Sequence, residues 1–85
     1  MNTRDLFGST LPAPAHSLRD PVEMDCTVTA LTELAAKLRF LDVEGDETES
    51  WVPLKLLAFR GNGAPRKGTQ LLDIERFKAR EIGAL

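Results

Sequence analysis

The nine residues Val22-Glu23-Met24-Asp25-Cys26-Thr27-Val28-Thr29-Ala30 decide how this chain is read. Val22, Met24, Cys26, Val28 and Ala30 are apolar, and the residues between them are acidic or hydroxylic. Successive side chains of a strand point to opposite faces, so strict alternation predicts a half-buried strand with one wet face. Cys26 falls on the apolar side and reads as a small core residue, not a nucleophile.

Downstream, residues 30–43 carry two patterns. Leu31, Leu34, Ala35 and Leu38 sit at helical spacing, with Glu33 and Lys37 as an i,i+4 pair. Ala36, Leu38 and Phe40 alternate with Lys37, Arg39 and Leu41, which suits a strand. The next residues, Val43-Glu44-Gly45-Asp46-Glu47, form a polar turn around a glycine, and Thr48 to Pro53 resumes a β pattern through Trp51 and Val52. Two strands joined by a short acidic turn make a hairpin. Pro53 ends its second strand, because proline cannot donate to a ladder. Leu54 to Phe59 reads as a tight turn into another short strand, and residues 60–70 as a glycine-rich basic loop. Leu71-Leu72 is a short last strand, followed by a helix with Asp73 as N-cap, Ile74 and Phe77 on its apolar side, and Gly83 at its end. Upstream, residues 1–21 form an irregular tail broken by Pro12, Pro14 and Pro21, with Leu6 and Phe7 as its one apolar anchor.

Composition sets the limits. The chain has 85 residues, 42% hydrophobic and 28% charged, which fits one small folded domain over residues 22–85. One cysteine excludes an internal disulfide, and with the single histidine, His16, it falls short of the four ligands of a zinc site. The apolar runs are too short to cross a bilayer and the N-terminus lacks a signal-peptide pattern, so the expected setting is the cytoplasm, without a membrane partner. Net charge is −2 but unevenly spread. Residues 1–50 hold Arg4, Arg19, Lys37 and Arg39 against ten carboxylates, a balance of −6, and residues 51–85 hold seven cations against three carboxylates, a balance of +4. Such a division predicts an acidic and a basic face unless folding interleaves them.

No catalytic set assembles from these residues. A single histidine in a proline-rich tail gives no Ser-His-Asp or Cys-His arrangement. Asp42, Glu44, Asp46, Glu47 and Glu49 cluster around a turn where water keeps carboxylates ordinary, and their spacing does not match a calcium loop. They are read as a solvated hairpin tip and as a candidate acidic interaction surface. "GNGAPRKGT" fails as a phosphate loop because Lys67 precedes Gly68 and Thr69 stands where the lysine belongs. Trp51 is expected in the core, as are Phe40, Phe59 and Phe77. The alternative use of Trp51 is as a base-stacking platform, with Lys55, Arg60, Arg66 and Lys67 tracking phosphates. No cofactor is expected.

Two stretches carry a resemblance. Residues 35–55, "AAKLRFLDVEGDETESWVPLK", resemble a hairpin of many small phage-encoded proteins in which the second strand reads like "DGEEVWLPKS". Residues 67–85, "KGTQLLDIERFKAREIGAL", are similar to the ending of that group, roughly "TGTVEIPEWLAEEKGL". Trp51 and Pro53 match the Trp-x-Pro signature, and Ile74, Phe77, Ala79, Glu81 and Gly83 match the terminal helix. Leu54-Lys55 replaces the usual Lys-Ser, so no role of that serine carries over. The group has no shared assigned activity, so the resemblance implies none for this chain. The resemblance implies a phage or prophage origin and tips residues 34–43 towards strand.

The expected fold is therefore α+β: a small, curved, barrel-like antiparallel sheet of four or five strands with one C-terminal helix and an N-terminal tail. The leading functional expectation is a non-enzymatic module that binds a host protein or protein–nucleic-acid complex, for instance as an inhibitor of a bacterial defence complex of the CRISPR–Cas kind. A single-stranded nucleic-acid-binding accessory protein and a self-assembling structural component, a homo-oligomer, are the alternatives.

Overall fold

The computed structural model describes residues 18–85. Leu6 and Phe7, the expected tail anchor, and His16 lie outside the described residues. Five strands and one helix follow in order: β1 Pro21–Leu31, β2 Ala35–Leu41, β3 Glu47–Pro53, a 3-10 turn Leu54–Leu56, β4 Leu57–Phe59, β5 Gly68–Glu75 and α1 Arg76–Glu81. They form one sheet in the order β3-β2-β1-β5-β4 with antiparallel neighbours. This is the expected α+β class. The sheet is not closed, and β3 and β4 are its two edges.

Alternation builds the core. Met24, Cys26 and Val28 of β1, Ala36, Leu38 and Phe40 of β2, Val52 of β3, Leu57 and Phe59 of β4, and Leu72 and Ile74 of β5 are all buried in one cluster with Ala79 of α1. Leu54 and Leu56 of the 3-10 turn, and Ile82 and Ala84 beyond the helix, pack against that cluster.

The stripe of β1 is not unbroken. The register runs Thr27↔Arg39, Val28↔Leu38, then Ala30↔Lys37 and Leu31↔Ala36, so one extra residue bulges from β1 at Thr29. A bulge slips the phase by one and bends its strand. Ala30 therefore shares a row with the solvent-facing Lys37, and Leu31 packs towards the core in its place.

Loop chemistry follows local rules. The β2–β3 turn is a three-residue hairpin loop with Gly45 at φ 87°, closed by Gly45 N–H to the Asp42 carbonyl and Asp42 N–H to the Asp46 carbonyl. At the other hairpin, Thr32 Oγ1 accepts the N–H groups of Leu34 and Ala35. The helix ends in a Schellman arrangement: Ala84 N–H bonds the Ala79 carbonyl and Gly83 N–H bonds the Arg80 carbonyl, with Gly83 at φ 89°.

Three sequence expectations change at the C-terminal end. The last strand is not the pair Leu71-Leu72 but eight residues, because it pairs with β1 from Val28↔Gly68 to Pro21↔Glu75. Asp73 is inside that strand and is not the N-cap; Glu75 holds that position and makes no side-chain capping bond. Ile74 belongs to the strand core, and Phe77 is 59% exposed on a helix that buries only Ala79. Among the described residues no helix is long and apolar enough to cross a membrane.

Candidate functional site

Trp51 was expected inside and stands outside. Its register partner is Lys37, which places the indole on the solvent face, 47% exposed, while its neighbour Val52 enters the core. Glu47 and Glu49 are in phase with Trp51 along β3. Arg39 pairs with Glu47 at 3.0 Å and Lys37 with Glu49 at 3.4 Å, both across β2 and β3. The outer face of this hairpin is thus a charged lattice with one aromatic at its end.

The acidic tip resolves into different roles. Asp42 is a staple: its Oδ1 accepts the N–H groups of Glu44 and Asp46, each at 2.9 Å, and its Oδ2 accepts the Thr48 hydroxyl. Those bonds, led by the Asp46 amide, hold its carboxyl below the ordinary carboxylate value. Glu47 and Glu49 are committed to ion pairs. Among the described residues Glu44 and Asp46 make no side-chain bond, and both are exposed. Exposed Leu41 and Val43 flank them, and Val43 N–H bonds the Gly83 carbonyl, so the end of the α1 segment braces the tip.

The basic residues are also divided. Arg60 bridges Glu23 at 3.0 Å and Asp73 at 2.8 Å across β1 and β5, and Arg66 Nη1 donates to the Arg60 carbonyl. Lys55 and Lys67 are exposed and make no ion pair among the described residues. The charge division seen in sequence is partly cancelled in this way, because Arg60 meets Glu23 and Arg76 meets Asp20 at 2.9 Å.

A shallow cavity of about 320 Å³ opens where β1 and β2 part company. Their pairing stops at Thr27↔Arg39, and the cavity lies between Asp25–Thr27 and Arg39–Leu41, with Glu47 and Thr69 at its margin. Its polar groups mostly satisfy each other: Arg39 pairs with Glu47, and the Thr27 and Thr69 hydroxyls are 2.9 Å apart. Sequence reading missed this opening. It lies where the β1–β2 ladder ends at Thr27↔Arg39, a point that no residue type marks.

Cys26 lines the same opening but is buried on the core side. Burial, with the charge of Asp25 adding to it, pushes the thiol up from 9.0 to about 11. The folded chain holds this proton more tightly than the unfolded chain. Stability is therefore unaffected by this group below about pH 9 and falls as pH rises from there through about 11. Denaturation midpoints measured across that range should show the decline, and Cys26→Ala should flatten it. An equal decline in Cys26→Ala assigns it to another group.

Among the described residues no group of three or more His, Cys, Asp or Glu side chains is placed to hold a metal ion. No family model, no curated protein and no solved structure matches the chain.

Proposed function

We propose that this chain is a non-enzymatic binding module of phage or prophage origin that acts in the bacterial cytoplasm by protein–protein interaction. The observation that carries the reading is the β2–β3 tip. Asp42 and Gly45 fix its backbone, and the Glu44 and Asp46 side chains project from it without partners among the described residues, beside exposed Leu41 and Val43. A rigid tip loses little conformational entropy on docking, and its carboxylates steer towards a positive surface. Nucleic-acid channels in host complexes are such surfaces, and carboxylates presented there occupy the place of phosphates. The finer form of the proposal is thus an inhibitor of a bacterial defence complex, and the resemblance to small phage proteins agrees with it.

The nucleic-acid alternative is less well supported. Arg60 is chelated by two carboxylates and Arg66 holds the loop backbone, so of the four cations Lys55 and Lys67 are left to track phosphates.

The double reversal Glu44→Lys, Asp46→Lys tests the leading reading and leaves Glu47, which is paired with Arg39, in place. Pull-down from host lysate with the wild-type chain should retain a positively charged complex, and the reversed chain should lose it at least tenfold while keeping its circular dichroism spectrum. Retention by a folded double variant would sink charge mimicry. Asp42 is left intact in this experiment because its loss would loosen the tip itself.

A further inference from the structure

The outer edge of β3 is built to pair. Main-chain bonds at both ends of the β2–β3 ladder fix which residues face which way: Asp42 N–H to the Asp46 carbonyl, and Leu54 N–H to the Leu34 carbonyl. In an antiparallel ladder hydrogen-bonded pairs alternate, so Thr48, Ser50 and Val52 spend their backbone groups on β2. Glu47, Glu49, Trp51 and Pro53 therefore aim theirs at the edge that no strand covers among the described residues.

We propose that two copies of this chain pair antiparallel along β3, about a twofold axis at Ser50, to form one continuous sheet. In this register Glu47 stands opposite the partner's Pro53, and Glu49 opposite the partner's Trp51. Both backbone groups of Glu49 and Trp51 are used, as are the Glu47 N–H and the Pro53 carbonyl. The N–H that proline lacks is the one donor missing from each strand.

Charge selects this register. Rows across the junction read Lys37, Trp51, the partner's Glu49, the partner's Arg39, with no like charges face to face. Sliding the strands towards the hairpin tips sets Glu49 against the partner's Glu49, or Glu47 against it, and both are repulsive. Sliding the other way shortens the ladder. The two half-exposed indoles sit on the diagonal, within reach of one another on the outer face. This accounts for an aromatic on the solvent side of an edge strand. The contact is isologous and closes on itself, so it yields dimers and not fibres. It leaves the acidic tips free at opposite ends of the shared ladder, with the two Glu47 residues about 20 Å apart at roughly 3.4 Å per residue.

Sedimentation equilibrium of the wild-type chain should give a dimer mass that dissociates on dilution. A monomer mass throughout the concentration series overturns the proposal. Glu49→Pro removes an N–H that β2 does not use, so the variant should fold and be monomeric; a folded Glu49→Pro dimer also overturns it. Should that variant fail to fold, Ser50→Cys in a Cys26→Ala background decides. Ser50 faces its own copy in a non-hydrogen-bonded pair, at about 4.5 Å between Cα atoms, which a disulfide spans. Mild oxidation should give a cross-linked dimer, and no cross-link in a chain of dimer mass places the interface elsewhere. Neither result bears on the acidic tip, which the pull-down tests separately.

Discussion

Leu38→Ala is expected to destabilise the folded chain by about 3 kcal/mol, the middle of the range for a fully buried leucine. Leu38 is 0% exposed on β2, opposite Val28 on one side and Ser50 on the other. Truncation removes transfer energy and leaves a void that two flanking strands cannot close, since both are held by their own ladders. Domains of this size have stabilities towards the low end of about 5–15 kcal/mol, so the loss is a large share of the whole. At roughly 4–8 °C per kcal/mol, thermal unfolding should fall by about 12–24 °C. Urea denaturation of wild type and variant at matched concentration gives the number directly. Leu41→Ala, 67% exposed, is the control and should shift stability by less than about 0.5 kcal/mol. A Leu38→Ala change as small as that control would mean that this cluster does not hold the sheet together.

The residues that build this core were largely visible in the sequence, because alternation survives wherever two faces differ in polarity. Met24, Cys26 and Val28 stand against Asp25 and Thr27, and Leu38 and Phe40 stand against Lys37 and Arg39. Where alternation fails, so does the reading. Leu71 and Leu72 are adjacent and Gln70 faces inward, which hides the eight-residue β5 behind a two-residue apolar pair. The bulge at Thr29 moves the inward position from Ala30 to Leu31, and no residue type announces it. The helix suffers from the same cause. Ile74 and Phe77 lie at helical spacing, yet Ile74 is still pairing with Val22, and the six residues that follow present Ala79, not Phe77, to the core.

Trp51 departs from its expected burial for a different reason. Its size argues for burial in general, but Glu47 and Glu49 share its phase, and one row of a strand faces one way. Phase outweighs size here. Composition alone shows the acidic cluster, whereas its division into one staple, two ion-paired residues and two without a side-chain partner among the described residues depends on register, which composition does not carry.

Glu75→Gln should cost about 1.5–3 kcal/mol, the range for hydrogen bonds to a charged group. Glu75 is 6% exposed, and its two carboxylate oxygens accept the Arg19 N–H at 2.8 Å and the Asp20 N–H at 3.0 Å. Glutamine keeps the shape but turns one acceptor into a donor, so one of those amides would face another N–H. The effect should also be local in a defined way. Arg76 N–H bonds the Asp20 carbonyl and Arg76 Nε bonds its carboxylate, so the chain entering β1 and the start of α1 share this corner. A helix of six residues is too short to persist alone and depends on such contacts. Hydrogen exchange should therefore show the Arg19 and Asp20 amides protected in the wild type and exposed in Glu75→Gln. Faster exchange should spread to the first turn of α1, while β2 and β3 stay unchanged. Equal loss of protection in all strands would assign Glu75 to global stability and not to this corner. Unchanged exchange at Arg19 and Asp20 would mean that water replaces the carboxylate at no cost.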